Sequence, residues 1–329
     1  MDRVKLGVVG VGYLGQYHAE KYANFDGVEL VGVVDIIPSR AEEVARRCST
    51  KAYYDYRELL DKVQAVSIVA PTPFHYPLAR DFFLHRIDVL LEKPMTTTLK
   101  EAEELVNLAK EKGLILQVGH LERFNSAVLA LQEVVNQPMF IEAHRLSPFQ
   151  GRSTDINVIL DLMIHDLDII LSLVDSRVAQ VQAVGVPVVS PQLDIANARV
   201  TFANGCVANL TCSRVSQTTS RRIRIFQLDA YVTIDYVAQQ IVVFRREMGS
   251  REGDFPRIVK EKLDIAKGDS LEKELAAFVH SVRDRARPLV SGEEGKRVLE
   301  VALHIQEEIA NFADTHWGAF QLPHPPRFP

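Results

Sequence analysis

Three cysteines, Cys48, Cys206 and Cys212, are too few and too widely spaced for a disulfide framework or a zinc site, so free thiols are expected. No apolar run reaches the ~18 residues a transmembrane helix requires. The longest candidate, Val158 to Val174, is cut by Asp161, His165, Asp166 and Asp168. Positive charge is not in excess either: 38 Lys and Arg stand against 43 Asp and Glu, and the net charge of −5 offers no general attraction to nucleic acid or an anionic membrane. Met1-Asp2-Arg3-Val4-Lys5 leads into a glycine motif rather than the apolar core of a secretion signal, so a soluble cytoplasmic protein is expected. What remains is an ordinary globular composition, 47% apolar over 329 residues, which is enough for two domains with cores of their own.

The first 120 residues alternate short apolar runs with helical patterns. Val4 to Val9, Leu30 to Val34, Ala65 to Val69, Val89 to Leu91 and Ile115 to Val118 are predicted strands. Their near-continuous apolar character suits a parallel sheet covered by helices on both faces. Thr98-Leu99-Lys100-Glu101 has capping-box spacing, and Leu99, Ala102, Leu105, Val106 and Ala109 follow at helical intervals until Gly113 stops the helix. Over residues 121–329 the period changes. In Ala196 to Phe202 small and apolar residues alternate with Asn197, Arg199 and Thr201, and Asn204-Gly205 turns the chain into Val207 to Ser213. Further runs at Phe140 to Leu146, Val178 to Val188, Ile223 to Leu228, Tyr231 to Tyr236 and Ile241 to Phe244 extend a mainly antiparallel open sheet. Helices return at Leu271 to Arg285 and Glu293 to Ala310, Glu247 to Lys262 reads as a charged loop, and the Pro-rich tail Leu322 to Pro329 is placed on the surface. The expected division is therefore an α/β domain over 1–120 with a doubly wound parallel sheet, then an α+β domain over 121–329.

Gly10-Val11-Gly12-Tyr13-Leu14-Gly15 joins the first strand to the first helix. There the first glycine permits the tight turn, the second lets a pyrophosphate approach the backbone, and the third lets the helix pack close to the strand. Asp35, ending the second strand, is placed to accept hydrogen bonds from the adenosine ribose and to repel a 2′-phosphate. The conjunction indicates a Rossmann domain that takes NAD rather than NADP. Arg40 is the counter-argument, since it can serve a phosphate, stack on adenine or simply be solvated. Glu92-Lys93-Pro94 closes the fourth strand at the carboxyl edge of the sheet, where Lys93 projects over the ligand crevice and Pro94 restricts it to extended geometry or takes a cis bond. Pro71-Thr72-Pro73-Phe74-His75 ends the third strand as a rigid turn lining the cofactor groove, although His75 reads equally well as a packed loop histidine.

A second cluster, Asp161-Leu162-Met163-Ile164-His165-Asp166-Leu167-Asp168, reads as helix. Asp161, His165 and Asp168, at i, i+4 and i+7, share one stripe, which serves chemistry, a capping network or a solvated face. One His with two carboxylates resembles a metal site in type, but no third strong ligand lies in reach, and no metal is expected.

Taken together these segments resemble the glucose-fructose oxidoreductase, inositol dehydrogenase and rhizopine-catabolism oxidoreductase family, GFO/IDH/MocA. The resemblance rests on Gly10-x-Gly12-x-x-Gly15-x-x-His18, Asp35, Pro71-Thr72-Pro73-x-His75, Glu92-Lys93-Pro94, Gly119-His120-x-x-Arg123-Phe124-Asn125, Asp161-x-x-x-His165-x-x-Asp168 and Asn204-Gly205. It implies a Rossmann domain, then an α+β domain whose open sheet mediates homodimers or homotetramers. It also maps the catalytic lysine and histidine onto Lys93 and His165, with Asp161 orienting the histidine and Glu92 at the nicotinamide ribose. Two departures stand out: the Gly-rich run that often precedes the catalytic Asp is Asp155-Ile156-Asn157-Val158-Ile159, and a glycine two residues after that Asp is replaced by Met163.

The variant Leu162 to Asp168 is similar to the subgroup of 3-dehydrogenases acting on UDP-N-acetylglucosamine and related nucleotide sugars. The implied activity is NAD-dependent oxidation of a secondary sugar hydroxyl to a ketone. Lys93, Arg123, Asn125, Asp161 and His165 are the substrate candidates, and Arg145, Arg152, Arg214, Arg221 and Arg222 are further cations for a diphosphate or a solvated surface. Three alternatives stay open: an inositol or free-sugar dehydrogenase, a non-catalytic NAD-binding regulator, and an NADPH-dependent reductase.

Overall fold

Apolar strands that bury every residue, alternating with helices that bury one stripe, produce the layered arrangement of the amino-terminal part. The computed structural model describes residues 3–149, 151, 156–247 and 255–316. Along the chain run β1 (Val4–Val9), α1 (Gly15–Ala23), β2 (Val28–Val34), α2 (Pro38–Arg47), β3 (Lys51–Tyr53), β4 (Ala65–Ile68), α3 (His75–Leu84), β5 (Asp88–Glu92), α4 (Leu99–Lys112) and β6 (Leu116–Gly119). All six strands are parallel, in the order β3-β2-β1-β4-β5-β6. The order reverses between β1 and β4, so the loops leaving their carboxyl ends open the crevice where ligands of doubly wound sheets bind. The α4 capping box forms as expected, with Thr98 and Glu101 satisfying each other's amides and Gly113 closing the helix in the left-handed conformation.

A short helix, α5 (Ser126–Leu129), leads to β7 (Phe140–Leu146), a π-helical turn (Ile159–Met163) and α6 (Ile164–Leu173). Then come β8 (Val178–Val186), β9 (Ile195–Phe202), β10 (Val207–Ser213), β11 (Ser220–Phe226), β12 (Ala230–Asp235), β13 (Gln240–Glu247) and β14 (Arg257–Lys262). They form an eight-stranded sheet in the order β14-β13-β12-β11-β7-β10-β9-β8. It is mostly antiparallel, but β7 and β10 pair in parallel at its centre. Ala196, Ala198, Val200 and Phe202 turn inward along β9 while Asn197 and Arg199 stay exposed, the alternation the sequence predicts. Gly205, at φ +89°, makes the hairpin turn.

Two expectations need correction. β3 has only three residues, too few for a periodic signal, and was not expected. The charged stretch 247–262 is not all loop: residues 248–254 lie outside the described residues, but β14 follows as an exposed edge strand whose Arg257, Lys260 and Lys262 discourage further pairing. The tail 322–329 also lies outside the described residues.

By backbone contacts the chain forms two units, Met1–Phe124 with Asp269–Leu299, and Asn125–Gly268 with Glu300–Pro329. The last two helices are α7 (Ser270–Asp284) and α8 (Gly292–His316). Residues 269–299 therefore group with the first unit, whereas a single cut at 120 follows chain order. The reason is packing. Leu275, Phe278, Val279 and Val282 form one stripe of α7, buried in the same core as Leu6, Val8, Ala19 and Tyr22. Phe278→Ala should destabilise the protein by about 3–5 kcal/mol in urea unfolding. A loss well below 1 kcal/mol would show that α7 is peripheral to that core.

Candidate active site

In the β1–α1 turn Gly10 has φ +83°, and a Cβ there would lie 2.7 Å from the carbonyl oxygen of Val69. At Gly15 a Cβ would lie 1.9 Å from the carbonyl oxygen of Gly10, so only glycine lets α1 begin this close to the sheet. Gly12 differs, because the nearest atom to a Cβ there is Nη1 of Arg40 at 3.8 Å. That open space fits a pyrophosphate, which the dipole at the start of α1 attracts. Tyr13 is exposed and Leu14 half-buried beside it.

Asp35 is 6% exposed and held firmly. Its Oδ2 accepts the amide of Val11 at 3.0 Å and its Oδ1 accepts the amide of Ile37 at 3.0 Å. Arg40 donates to Oδ2 at 3.4 Å, so this cation is directed to Asp35 and the glycine turn rather than simply solvated. These groups line a cleft of about 650 Å³ together with Pro71, Phe74, Tyr54 and Arg57. Tyr54 and Arg57 escaped the sequence reading because they follow β3, the strand too short to register; a Tyr-rich run after a missed strand was the only available signal. Thr72 is half-buried in the turn that starts α3.

His75 is not a groove residue. It is 1% exposed and wedged between two sheet-end loops, with Nδ1 2.9 Å from the carbonyl oxygen of Pro94 and Nε2 2.7 Å from that of Ala70; the neutral ring donates its single N–H to one of the two. Burial pushes its pKa down, opposed by those two carbonyls. Glu92 is likewise turned inward: its carboxylate, in a residue 7% exposed, accepts the amide of Lys93 at 3.2 Å. Lys93 itself is half-buried at the end of β5, and the Lys93–Pro94 peptide is cis. At the end of the neighbouring strand, β6, stands His120. Its burial, with the charges of Lys93 and Arg123, pushes its pKa from 6.5 down to about 3. His120 is therefore a neutral imidazole at working pH. Since the unfolded chain takes up a proton there between pH 6.5 and about 3 and the folded chain does not, stability falls with acid through that window.

In the second unit, the Asp and His helix is not one regular stripe. Asp161 sits in the π turn, where i→i+5 bonding replaces the α register, and α6 begins just before His165. Asp161 and His165 are half-buried, whereas Asp168 is 1% exposed and belongs to the interior. The departure from a Gly-rich run explains how the turn starts: Asn157 Oδ1 accepts the amides of Ile159 and Leu160 at 3.0 and 3.1 Å, acting as a cap. Arg214 donates to the carbonyl of Ile156, and Cys212 Sγ lies 3.5 Å from that of Val158, so β10 and the residue after it pin the turn. Asp155 lies outside the described residues.

Two substrate candidates turn out to be built into the second unit. Asn125 is 4% exposed, caps α5 through the amide of Ala127 at 3.0 Å, and donates to the carbonyl of Tyr236 at 3.1 Å. Arg145 is 3% exposed and forms a two-pronged pair with Asp166, at 3.0 and 2.9 Å, over the ring of Tyr236. Arg214 is buried, 3.7 Å from Asp194. Arg222 is exposed and pairs with Asp235 at 3.3 Å, Arg221 is exposed, and Arg152 lies outside the described residues. Arg123, in the first unit, is 7% exposed. Arg145 and Arg214 are thus neither solvated nor placed as open anion sites, and nothing in their local sequence reveals partners that distant.

Among the described residues no three His, Cys, Asp or Glu side chains are grouped to hold a metal ion, and no helix is long and apolar enough to cross a membrane. The three cysteines are buried and unbridged, with burial pushing the Cys206 thiol up to about 11.

Comparison with known proteins agrees with this architecture. Residues 4–120 match the model of the GFO/IDH/MocA oxidoreductase family, NAD-binding Rossmann fold, and residues 137–230 match the GFO/IDH/MocA C-terminal domain. UDP-N-acetylglucosamine 3-dehydrogenase of Acidithiobacillus ferrooxidans is 39% identical over 95% of this chain and 99% of its own. Its solved structure superposes with a TM-score of 0.88 at 38% identity, over 95% of this chain and 99% of that one. Myo-inositol 2-dehydrogenase of Thermotoga maritima is 27% identical over 90% of this chain and 93% of its own.

The buried Arg145–Asp166 pair generates a stability prediction. Arg145→Leu removes the two-pronged partner of a buried carboxylate and should cost about 3–5 kcal/mol in urea unfolding, whereas Arg145→Leu with Asp166→Leu should recover most of the loss. A double variant no more stable than the single one would show that the pair does not hold α6 to β7.

Proposed function

Because this chain belongs to the GFO/IDH/MocA family of NAD-binding oxidoreductases, we propose that it oxidises the 3-hydroxyl of a nucleotide sugar, UDP-N-acetylglucosamine, to the ketone. The observation that carries the substrate is the likeness to the Acidithiobacillus 3-dehydrogenase along nearly the whole of both chains. The substrate is not read from the cleft alone.

In this reading the open space at Gly12, at the amino-terminal end of the α1 dipole, holds the pyrophosphate, and Asp35 takes the adenosine ribose. Bound NAD supplies the acceptor for the hydride that leaves the carbinol carbon. His165 accepts the hydroxyl proton as general base, and Asp161 from the π turn orients the imidazole. Lys93 hydrogen-bonds the reacting oxygen and stabilises the negative charge that develops on it. The O–H proton goes to His165, the C–H electron pair leaves with the hydride, and the C–O bond becomes a carbonyl. The partner of the second unit is another copy of the chain, bound through the open sheet as a homodimer or homotetramer. What supports this is an aromatic ladder across β7, β11, β12 and β13: Phe140, Phe226, Tyr231 and Phe244 stack at 5.5, 4.7 and 5.1 Å on the less buried face.

Purified protein with NAD should form NADH on UDP-N-acetylglucosamine, and Lys93→Ala and His165→Ala should each lower kcat by about 100-fold or more while NAD still binds. Turnover on myo-inositol with none on the UDP-sugar would replace the substrate, and NAD binding with no turnover on any sugar would leave a regulator. Asp35→Ser should narrow the preference for NAD over NADP; an unchanged ratio would remove Asp35 from cofactor choice. In sedimentation, Tyr231→Arg should shift the oligomer towards monomer. An unaltered profile would place the interface elsewhere.

A further inference from the structure

Glu92 is the last residue of β5, and its carboxylate is enclosed from three directions. Its Oε2 accepts the amide of Lys93 at 3.2 Å. Its Oε1 lies 3.4 Å from Nε2 of His18, a close polar contact outside hydrogen-bond geometry, and the His18 side chain on α1 is 0% exposed. Opposite it in the β5–β6 register is Gly119, where a Cβ would come within 2.8 Å of Oε1 and 3.1 Å of the Cα of Glu92. Gly119 has no positive φ, so space for the carboxylate, not backbone freedom, is what requires a glycine there. A carboxylate buried to this degree is costly unless each oxygen is matched. Tyr22, one turn along α1 from His18, is bonded to Ser67 at 2.8 Å. The far side of the Lys93–Pro94 peptide is also held, since His75 Nδ1 lies 2.9 Å from the carbonyl of Pro94, with Nε2 2.7 Å from that of Ala70.

We propose that His18, Glu92, Gly119 and His75 are positioning residues that clamp the Lys93-Pro94 backbone and so fix where the lysine ammonium reaches. The clamp grips the two groups that flank the Lys93–Pro94 peptide: Glu92 takes the Lys93 amide, and His75 takes the Pro94 carbonyl. His18 packs its ring against the outer oxygen of Glu92 at 3.4 Å without a hydrogen bond to it, and Gly119 leaves the room that this orientation needs. Three separate motifs, the histidine after the glycine turn, the glutamate before the lysine and the glycine ending β6, thereby serve one physical end. The inference rests on the reading of Lys93 as the group that holds the reacting oxygen.

The test compares His18→Gln, Gly119→Ala, Glu92→Ala and Glu92→Gln with the parent in two measurements. In the first, lysines are reductively methylated with 13C-formaldehyde, and the Lys93 signal, assigned by its loss in Lys93→Ala, is followed by NMR. It should move in Gly119→Ala and Glu92→Ala and stay near its parent position in Glu92→Gln, which keeps an oxygen for the Lys93 amide. In the second, NADH formation from NAD and UDP-N-acetylglucosamine should show kcat down about 100-fold in Gly119→Ala and Glu92→Ala. Both KM values should be nearly unchanged and Glu92→Gln largely restored, the pattern of lost alignment rather than lost binding. A Lys93 signal and kcat that stay at parent values in Gly119→Ala and His18→Gln would overturn the clamp. So would a loss in Glu92→Gln as large as in Glu92→Ala. If the parent protein turns over no sugar yet the Lys93 signal moves as described, the clamp stands and the substrate reading fails.

Discussion

The close approach of α1 to the sheet is the constraint on which the first unit depends. It exists because Gly15 has no Cβ to meet the carbonyl of Gly10. With the helix that near, its amino terminus faces the open space at Gly12, and one turn later His18 is carried into the interior beside Glu92. The same contact that shapes the cofactor cleft therefore reaches the end of β5, where Lys93 begins. Asp35 closes the arrangement from the other side, because its carboxylate bonds the amide of Val11 and fixes the glycine turn against the end of β2. Tertiary packing makes this layout stiff: α7 supplies Phe278 and Leu275 to the core beneath β1 and α1.

The second unit meets a different problem, that of placing a half-buried Asp and His on a helix that is otherwise apolar. A π turn separates Asp161 from the α register of His165, and its start is set by Asn157 rather than by the glycines that family resemblance leads one to expect. Below it, the buried carboxylate of Asp166 meets Arg145 in a two-pronged, charge-assisted pair. Buried ion pairs of this kind add little net stability but penalise any other packing, which suits an element that must present two side chains in one geometry.

Much of this was legible. The positions of most strands, the capping box at Thr98, the hairpin at Gly205 and the inward residues of β9 follow local periodicity, and local periodicity is what the structure uses there. The glycine turn and Asp35 were legible because each residue type there answers a steric or electrostatic demand that few others meet. Illegible were β3, shorter than one period; β14, whose exposed charged residues resemble a loop; and the return of residues 269–299 to the first unit. The partners of His75, Asn125 and Arg145 were illegible for a common reason: each is a polar residue whose partner is a backbone carbonyl or a carboxylate far away in sequence or in another loop.

The sequence by itself determined the class of most segments, the cofactor fold and the residue types at the cleft, because these depend on interactions within one or two turns of chain. Only the tertiary structure decided which polar groups face a ligand and which are consumed in holding the fold. That distinction depends on burial and on partners brought together from distant segments, as with His18 and Glu92, or Arg145 and Asp166. A buried polar group is forced to find such a partner, and the chain around it carries no mark of which one it will be.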